Sequence, residues 1–270
     1  MWFARAASDN AMVTPPNEAP VLLTVDVEPD CPPFLNTWRG IVEGMPRLLD
    51  LLAEEAVPAT MFVTGEVARR YPWLIDELVA GGHELGCHGD THVALTTLTA
   101  DELAREVRES SRVLRAHGDV VSFRAPFLQL PRWGLARLRD AGYLVDSSVG
   151  RHKTMRARVE VVDGVLRVPA SMTSSTLRWP AWLVRPLLAR LAPPAVLFVH
   201  PWEFIDLRRT KLRFDCRFKT GDAALTSFRN TIRFFKARGA TFGTMRECVA
   251  WMRAQPGRGP AILASDEVHG

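Results

Sequence analysis

Short apolar, β-branched runs alternate with longer amphipathic segments from Val21 to about Arg253, and that rhythm predicts parallel βα units. The strand candidates are 21–27 (VLLTVDV), 59–64 (ATMFVT), 83–88 (HELGCH), 120–124 (VVSFR), 143–148 (YLVDSS), 165–169 (VLRVP), 195–200 (AVLFVH) and 240–244 (ATFGT). Helical spacing marks 41–56, 72–80, 131–141, 181–191, 222–238 and 245–254. Thr99-Ala-Asp-Glu102 reads as a capping box opening a helix that runs to about His117 and stops at Gly118. Gly142 and Gly239 are candidate C-caps.

The chain has 270 residues, 47% of them hydrophobic and 24% charged. That length fits a single α/β barrel, which needs about 250 residues to close. The expected organisation is a tail over 1–19, one catalytic domain over 20–254 and a second tail over 255–270. A formal net charge of +4 is too even a balance for a nucleic-acid partner. Cys31, Cys87, Cys216 and Cys248 are scattered and predict no disulfide framework. Met1–Pro20 lacks a continuous apolar core, so the expected compartment is the cytoplasm. With no Gly-rich phosphate loop and no GxSxG, nucleotide-dependent and serine-hydrolase chemistry both fall.

The chemically capable residues cluster at strand ends. Asp26 and Glu28 close the first strand, His88 the third, Arg124 the fourth, Asp146 the fifth and His200 the seventh. In a parallel barrel these ends open on one face, where such folds carry their sites. Asp26-Val-Glu28 places two carboxylates on the same side of a strand, although a solvated loop acid before Pro29 is equally written this way. His88 and His92, at i and i+4, suit one face of a helical turn and one metal ion, while Cys87 reads as a small buried hydrophobe. Arg124 suits a bidentate grip on a carboxylate, or an ordinary surface ion pair. His200, ending an apolar strand, suits a general acid or a core histidine bonded to a carbonyl.

In order along the chain, TVDVE (24–28), HGDTH (88–92), FRAPF (123–127), DSS (146–148) and LFVHP (197–201) resemble the motifs of the polysaccharide deacetylase family with the NodB-homology fold. The resemblance implies a distorted (β/α) barrel of seven or eight parallel strands and hydrolytic removal of an acyl group from an amino sugar. It further implies one divalent metal ion, commonly zinc, with cobalt as a substitute. Carried over by position, Asp26 is the general base, His88 and His92 are metal ligands, Arg124 orients the base and His200 is the general acid. Two departures stand out: Val27 occupies the position of the second aspartate, leaving Glu28 as the substitute ligand, and Gly89 replaces a small hydroxyl residue. Asp146 is the candidate tether of His200, and Pro126, Phe127 and Trp202 are the substrate-contacting candidates.

The expected partner is an amino-sugar glycan or a lipid-linked saccharide, handled in the latter case at the inner membrane face. Asn36–Gly40 and Glu43–Leu49 look similar to a stretch of deformylases acting on a lipid-linked formamido sugar, which makes deformylation the nearest alternative. A non-catalytic carbohydrate-binding relative is the second, supported by the missing aspartate. Leu177–Leu191 interleaves Trp179, Trp182 and leucines with Arg178, Arg185 and Arg190, so it reads either as an interfacial strip or as an amphipathic helix with a core-facing stripe.

Overall fold

In the computed structural model, which describes residues 19–35, 37–154 and 157–255, the eight strand candidates become eight parallel strands of one curled sheet. They are β1 (Val21–Val27), β2 (Thr60–Val63), β3 (Glu84–Cys87), β4 (Ser122–Phe123), β5 (Val145–Asp146), β7 (Val165–Arg167), β8 (Ala195–Val199) and β9 (Phe242–Gly243). One strand escaped the sequence reading: β6 (Glu160–Val162) runs antiparallel to β7. Its signal was the Asp163-Gly164 dipeptide, whose φ values of 52° and 82° make the hairpin turn. The order is β6-β7-β5-β4-β3-β2-β1-β8, with β9 beside the first residues of β1. Residues after β7 then reach the free edge of β8 through a Met172–Leu197 bridge and a 2.8 Å bond from the Ser171 N–H to the Val196 carbonyl. The sheet therefore curls into the distorted barrel that the motifs implied.

Helices sheathe the sheet: α1 (Met45–Glu54), α2 (Gly65–Arg70), α3 (Pro72–Ala80), α4 (Ala100–Leu114), α5 (Gly134–Asp140), α6 (Ser174–Leu177), α7 (Ala181–Leu188), α8 (Phe214–Arg217), α9 (Asp222–Lys236) and α10 (Met245–Arg253). The capping box at Thr99 and Glu102 is formed, and Gly142 and Gly239 take the positive φ of C-caps. Helix α2 was missed, although Thr64 caps it through the Val67 N–H. The tails and Asn36 of the sequence reading lie outside the described residues, apart from Ala19 and Gln255.

Strand alternation decides what faces where. Along β1, Val21, Leu23, Val25 and Val27 join the core shared with the helices, whereas Leu22 belongs to the cluster inside the barrel with Phe62, Val196 and Phe198. Thr24 and Asp26 follow Leu22 on that inner face, which carries Asp26 to the mouth. At the opposite end α10 inserts Met245, Cys248, Val249 and Met252 as a plug. Among the described residues no helix is long and apolar enough to cross a membrane.

Candidate active site

At the C-terminal ends of the strands, a cavity of about 280 Å³ is lined by Asp26, Glu28, His88, His92, Phe127, His200 and Trp202, among others. Val27 is wholly buried in the outer core, so the position of the second aspartate points away from the mouth. Glu28, one residue further, returns to the inner side.

The two imidazoles do not sit on a helical turn as expected. His88 follows β3 in extended continuation, and Gly89 at φ 76° and His92 at φ 56° fold the intervening residues into a loop that brings the rings to 5.2 Å. That loop is held from outside. Glu106 accepts from the Asp90 and Thr91 N–H groups at 2.8 and 2.7 Å, and Arg69 grips the Asp90 carboxylate at 2.7 and 3.0 Å. Gly65 allows the close approach, since a Cβ there would lie 2.0 Å from Asp90 Oδ1. Cys87 is buried against Ser110 at 3.2 Å and faces away, as expected.

Glu28 Oε2 lies 3.2 Å from His88 Nε2 and 2.6 Å from His92 Nε2. Burial pushes the Glu28 carboxyl up, but His92, His200 and His88 outweigh it and hold the group well below the usual carboxylate range. The His88 Nδ1–H donates to the Arg124 carbonyl at 2.8 Å, which orients the ring with Nε2 toward Glu28. His92 is buried and neither of its ring nitrogens has a hydrogen-bond partner. Glu28, His88 and His92 place their ligand atoms within 4.8 Å of one another, and this donor set fits a divalent ion with positions left open.

Arg124 is fully buried, which removes the surface ion-pair reading. Its Nη1 donates to Asp26 Oδ1 at 2.6 Å and to Thr24 at 2.8 Å, while Nη2 donates to Ser147 Oγ at 2.9 Å. The guanidinium lies over Phe62 at 4.3 Å. One Asp26 oxygen is thereby occupied, and Oδ2 lies 3.9 Å from His200 Nε2. Trp202 stacks on His200 at 4.7 Å and donates to Glu28 Oε1 at 3.3 Å. Phe127 lies edge-on to His92 at 4.7 Å, whereas Pro126 is buried beside Gly89 and does not line the cavity.

The expected pairing of Asp146 with His200 needs correction. Asp146 is buried, accepts from Arg167 Nε at 3.0 Å and bonds Ser148, because β5 pairs with β7 and turns its end toward that strand. Glu203 takes the place beside His200, accepting from Nδ1 at 2.8 Å and from the His200 N–H at 3.0 Å. Arg178 Nε stands 3.1 Å from the other Glu203 oxygen, so Arg178 belongs to the buried surroundings of His200 and not to an interfacial strip. Burial pushes the Glu203 carboxyl up, yet Arg178 and His200 hold it below the usual range. Burial opposes charge on His200, but Glu28, Glu203 and Asp26 raise it to about 9. The sequence signal for Glu203 was present: a Glu three residues after the strand-ending His is the capping-box spacing.

A curled parallel sheet with Asp, Glu, two His, Arg and a further His converging at its mouth has the architecture of the NodB-homology fold. The chain superposes on a polysaccharide deacetylase structure from Mycobacterium smegmatis, itself described as putative, with a TM-score of 0.62, at 21% identity over 88% of this chain and 93% of that one. Residues 14–145, just under half of the chain, match the model of the polysaccharide deacetylase family. It is 41% identical over 85 residues to a chitooligosaccharide deacetylase of Sinorhizobium fredii, and 33% identical over 114 residues to a peptidoglycan-N-acetylmuramic acid deacetylase of Bacillus subtilis. These matches cover 30% and 41% of this chain and span only 40% and 43% of the relatives' own lengths.

Proposed function

We propose that this chain is a metal-dependent N-deacetylase of amino-sugar glycans. The observation that carries the reading is the facing arrangement of Glu28, His88 and His92 beside an Arg-held Asp26. Glu28, His88 and His92 would hold a divalent ion, zinc or cobalt, which would supply Lewis-acid polarisation of the acyl carbonyl and a more acidic water. Asp26 accepts the proton of the attacking water on Oδ2, the oxygen left free by Arg124. The Phe127 N–H, in a left-handed turn at φ 58°, is the candidate donor to the developing oxyanion. His200, kept charged by Glu203 and the site carboxylates, protonates the departing amine. Trp202 and Phe127 offer aromatic faces to the sugar ring, and Pro126 shapes the turn beneath. The relatives' chitooligosaccharide and peptidoglycan activities support N-acetylated sugars as the substrate class.

The test is acetate release from N-acetylglucosamine oligomers by the zinc- or cobalt-loaded protein. Acetate released by the wild type and not by Asp26→Asn supports the reading; formate released from an N-formyl sugar in its place moves the chain to deformylation. A loaded protein that binds the oligomer and never turns it over is a carbohydrate-binding relative instead.

A further inference from the structure

Beside the cavity mouth, exposed aromatic side chains stand among positive charges that the chain leaves uncompensated. Residues 171–221 hold nine Lys and Arg against three Asp and Glu, a net charge of +6 in a chain whose total is +4. All three acids are engaged: Glu203 is buried beside His200, Asp206 pairs with Arg208 at 2.7 Å and Asp215 with Arg213 at 3.0 Å. Among the described residues, no carboxylate lies within ion-pair distance of Arg185, Arg190, Arg209, Lys211, Arg217 or Lys219. Trp182 is 73% exposed, Phe214 65%, Phe34 50% and Trp179 46%.

Contacts link these residues into one belt. Arg178 donates to the carbonyls of Phe218 and Asp215 at 2.6 Å each, which ties the chain at Trp179 to the segment that carries Phe214. Trp179, Ala181 and Arg185 line one groove with Lys219. Phe214 and Phe218 pack tilted with centroids 4.9 Å apart, and the Arg213 guanidinium lies 5.9 Å from the Phe34 ring. Phe34 and Arg213 in turn line the active-site cavity. On α7, Val184 and Leu188 face the core while Trp182, Leu183 and Leu187 face out. The helix thus has a core stripe and a second, outward apolar face.

We propose that this belt docks on an anionic lipid bilayer, with Trp182 and Phe214 entering the interface and the cavity mouth turned to the membrane surface. Aromatic rings favour the headgroup region, and each nearby Lys or Arg gains about fivefold in affinity from anionic lipid. A second copy of the chain would bring like charge against like charge, which disfavours self-association through this face. Docking stands without the deacetylase reading; that the sugar is presented on a lipid rests on it.

Flotation of the full chain with phosphatidylcholine vesicles, with and without phosphatidylglycerol, tests the proposal. Binding is expected to the mixed vesicles and at least about tenfold weaker to phosphatidylcholine alone. Trp182→Ala with Phe214→Ala lowers it about tenfold or more, and Arg185→Glu with Arg190→Glu lowers it further. All of these variants keep wild-type acetate release from a soluble N-acetylglucosamine oligomer, since none of the four residues lines the cavity. Absence of binding to the mixed vesicles overturns the proposal, as does unchanged binding of the aromatic variant. So does conversion of a dimer into monomers by that variant in sedimentation with flotation unaltered. Vesicle binding without any acetate release separates the two claims: the surface stands and the deacetylase reading fails.

Discussion

Two buried glutamates sit at opposite ends of the barrel and do opposite things. Glu28, at the mouth, faces imidazoles, and they draw its carboxyl well below the usual range against the push of burial. Glu84, at the start of β3 on the plugged end, accepts from Thr60 Oγ1 at 2.8 Å, from the Arg246 N–H at 3.1 Å and from Ser122. Its donors are mostly neutral, so burial prevails and its carboxyl is raised. Burial is similar, at 5% and 8% exposure, so the neighbours decide the charge. Glu84 ties β2, β3, β4 and α10 together with satisfied hydrogen bonds, whereas at the mouth neither His92 nitrogen has a hydrogen bond, although Nε2 lies 2.6 Å from Glu28. Incomplete satisfaction marks the end that waits for a ligand.

The sharpest way to break this contrast is to neutralise each glutamate in turn. Glu28→Gln is expected to lose bound metal and reduce deacetylation to background, whereas Glu84→Gln keeps both; metal content and acetate release measure the difference. Chelation of the wild type should give the same loss, reversed by zinc or cobalt. Turnover unaffected by exhaustive metal removal refutes the metal-dependent reading.

Asp26→Asn comes next, with an expected fall in kcat on the order of 10²- to 10⁴-fold while metal content and melting temperature hold. Near-normal kcat in that variant would remove Asp26 from the role of base.

Glu203→Gln probes the tether. His200 loses a partner that raises its pKa, so the alkaline limb of the kcat/KM profile should move to lower pH, with kcat down roughly tenfold to a hundredfold. Asp146→Asn should leave that limb where it is and instead cost about 1–3 kcal/mol of stability, read by denaturant unfolding, through its Arg167 and Ser148 bonds. If the two variants exchange these phenotypes, the assignment of the tether is reversed.

The smallest effect concerns Glu84 and pH. A carboxyl raised by folding binds its proton more tightly in the native state, so wild-type stability declines as pH rises from the ordinary glutamate value through the raised one. Glu84→Gln should flatten that decline and change neutral-pH stability by no more than about 1 kcal/mol or increase it. Denaturant melts across the pH range report it.

Much of this architecture was legible in the chain. Short apolar, β-branched runs between amphipathic segments located the eight parallel strands, and the Asp26/Glu28 alternation already placed both carboxylates on one side. Local rules failed where conformation is set by distant partners. The His88–His92 spacing reads as a helical turn, but Arg69 and Glu106 pull the loop into another shape. Nothing within Leu177–Leu191 separates the buried Arg178 from the exposed Trp179 and Trp182, because the carbonyls that bury Arg178 lie about 40 positions downstream.

What the sequence determined by itself is therefore the fold class, the alternation of strands and helices, and the kinds of groups that meet at the mouth, since these follow from local pattern and residue chemistry. Tertiary structure decided which acid holds which base. Asp146 and Glu203 are both carboxylates near strand ends, and only the pairing of β5 with β7, against the tight turn after β8, gives His200 to Glu203. Hydrogen bonds over a few ångströms depend on register and curl that no local window contains.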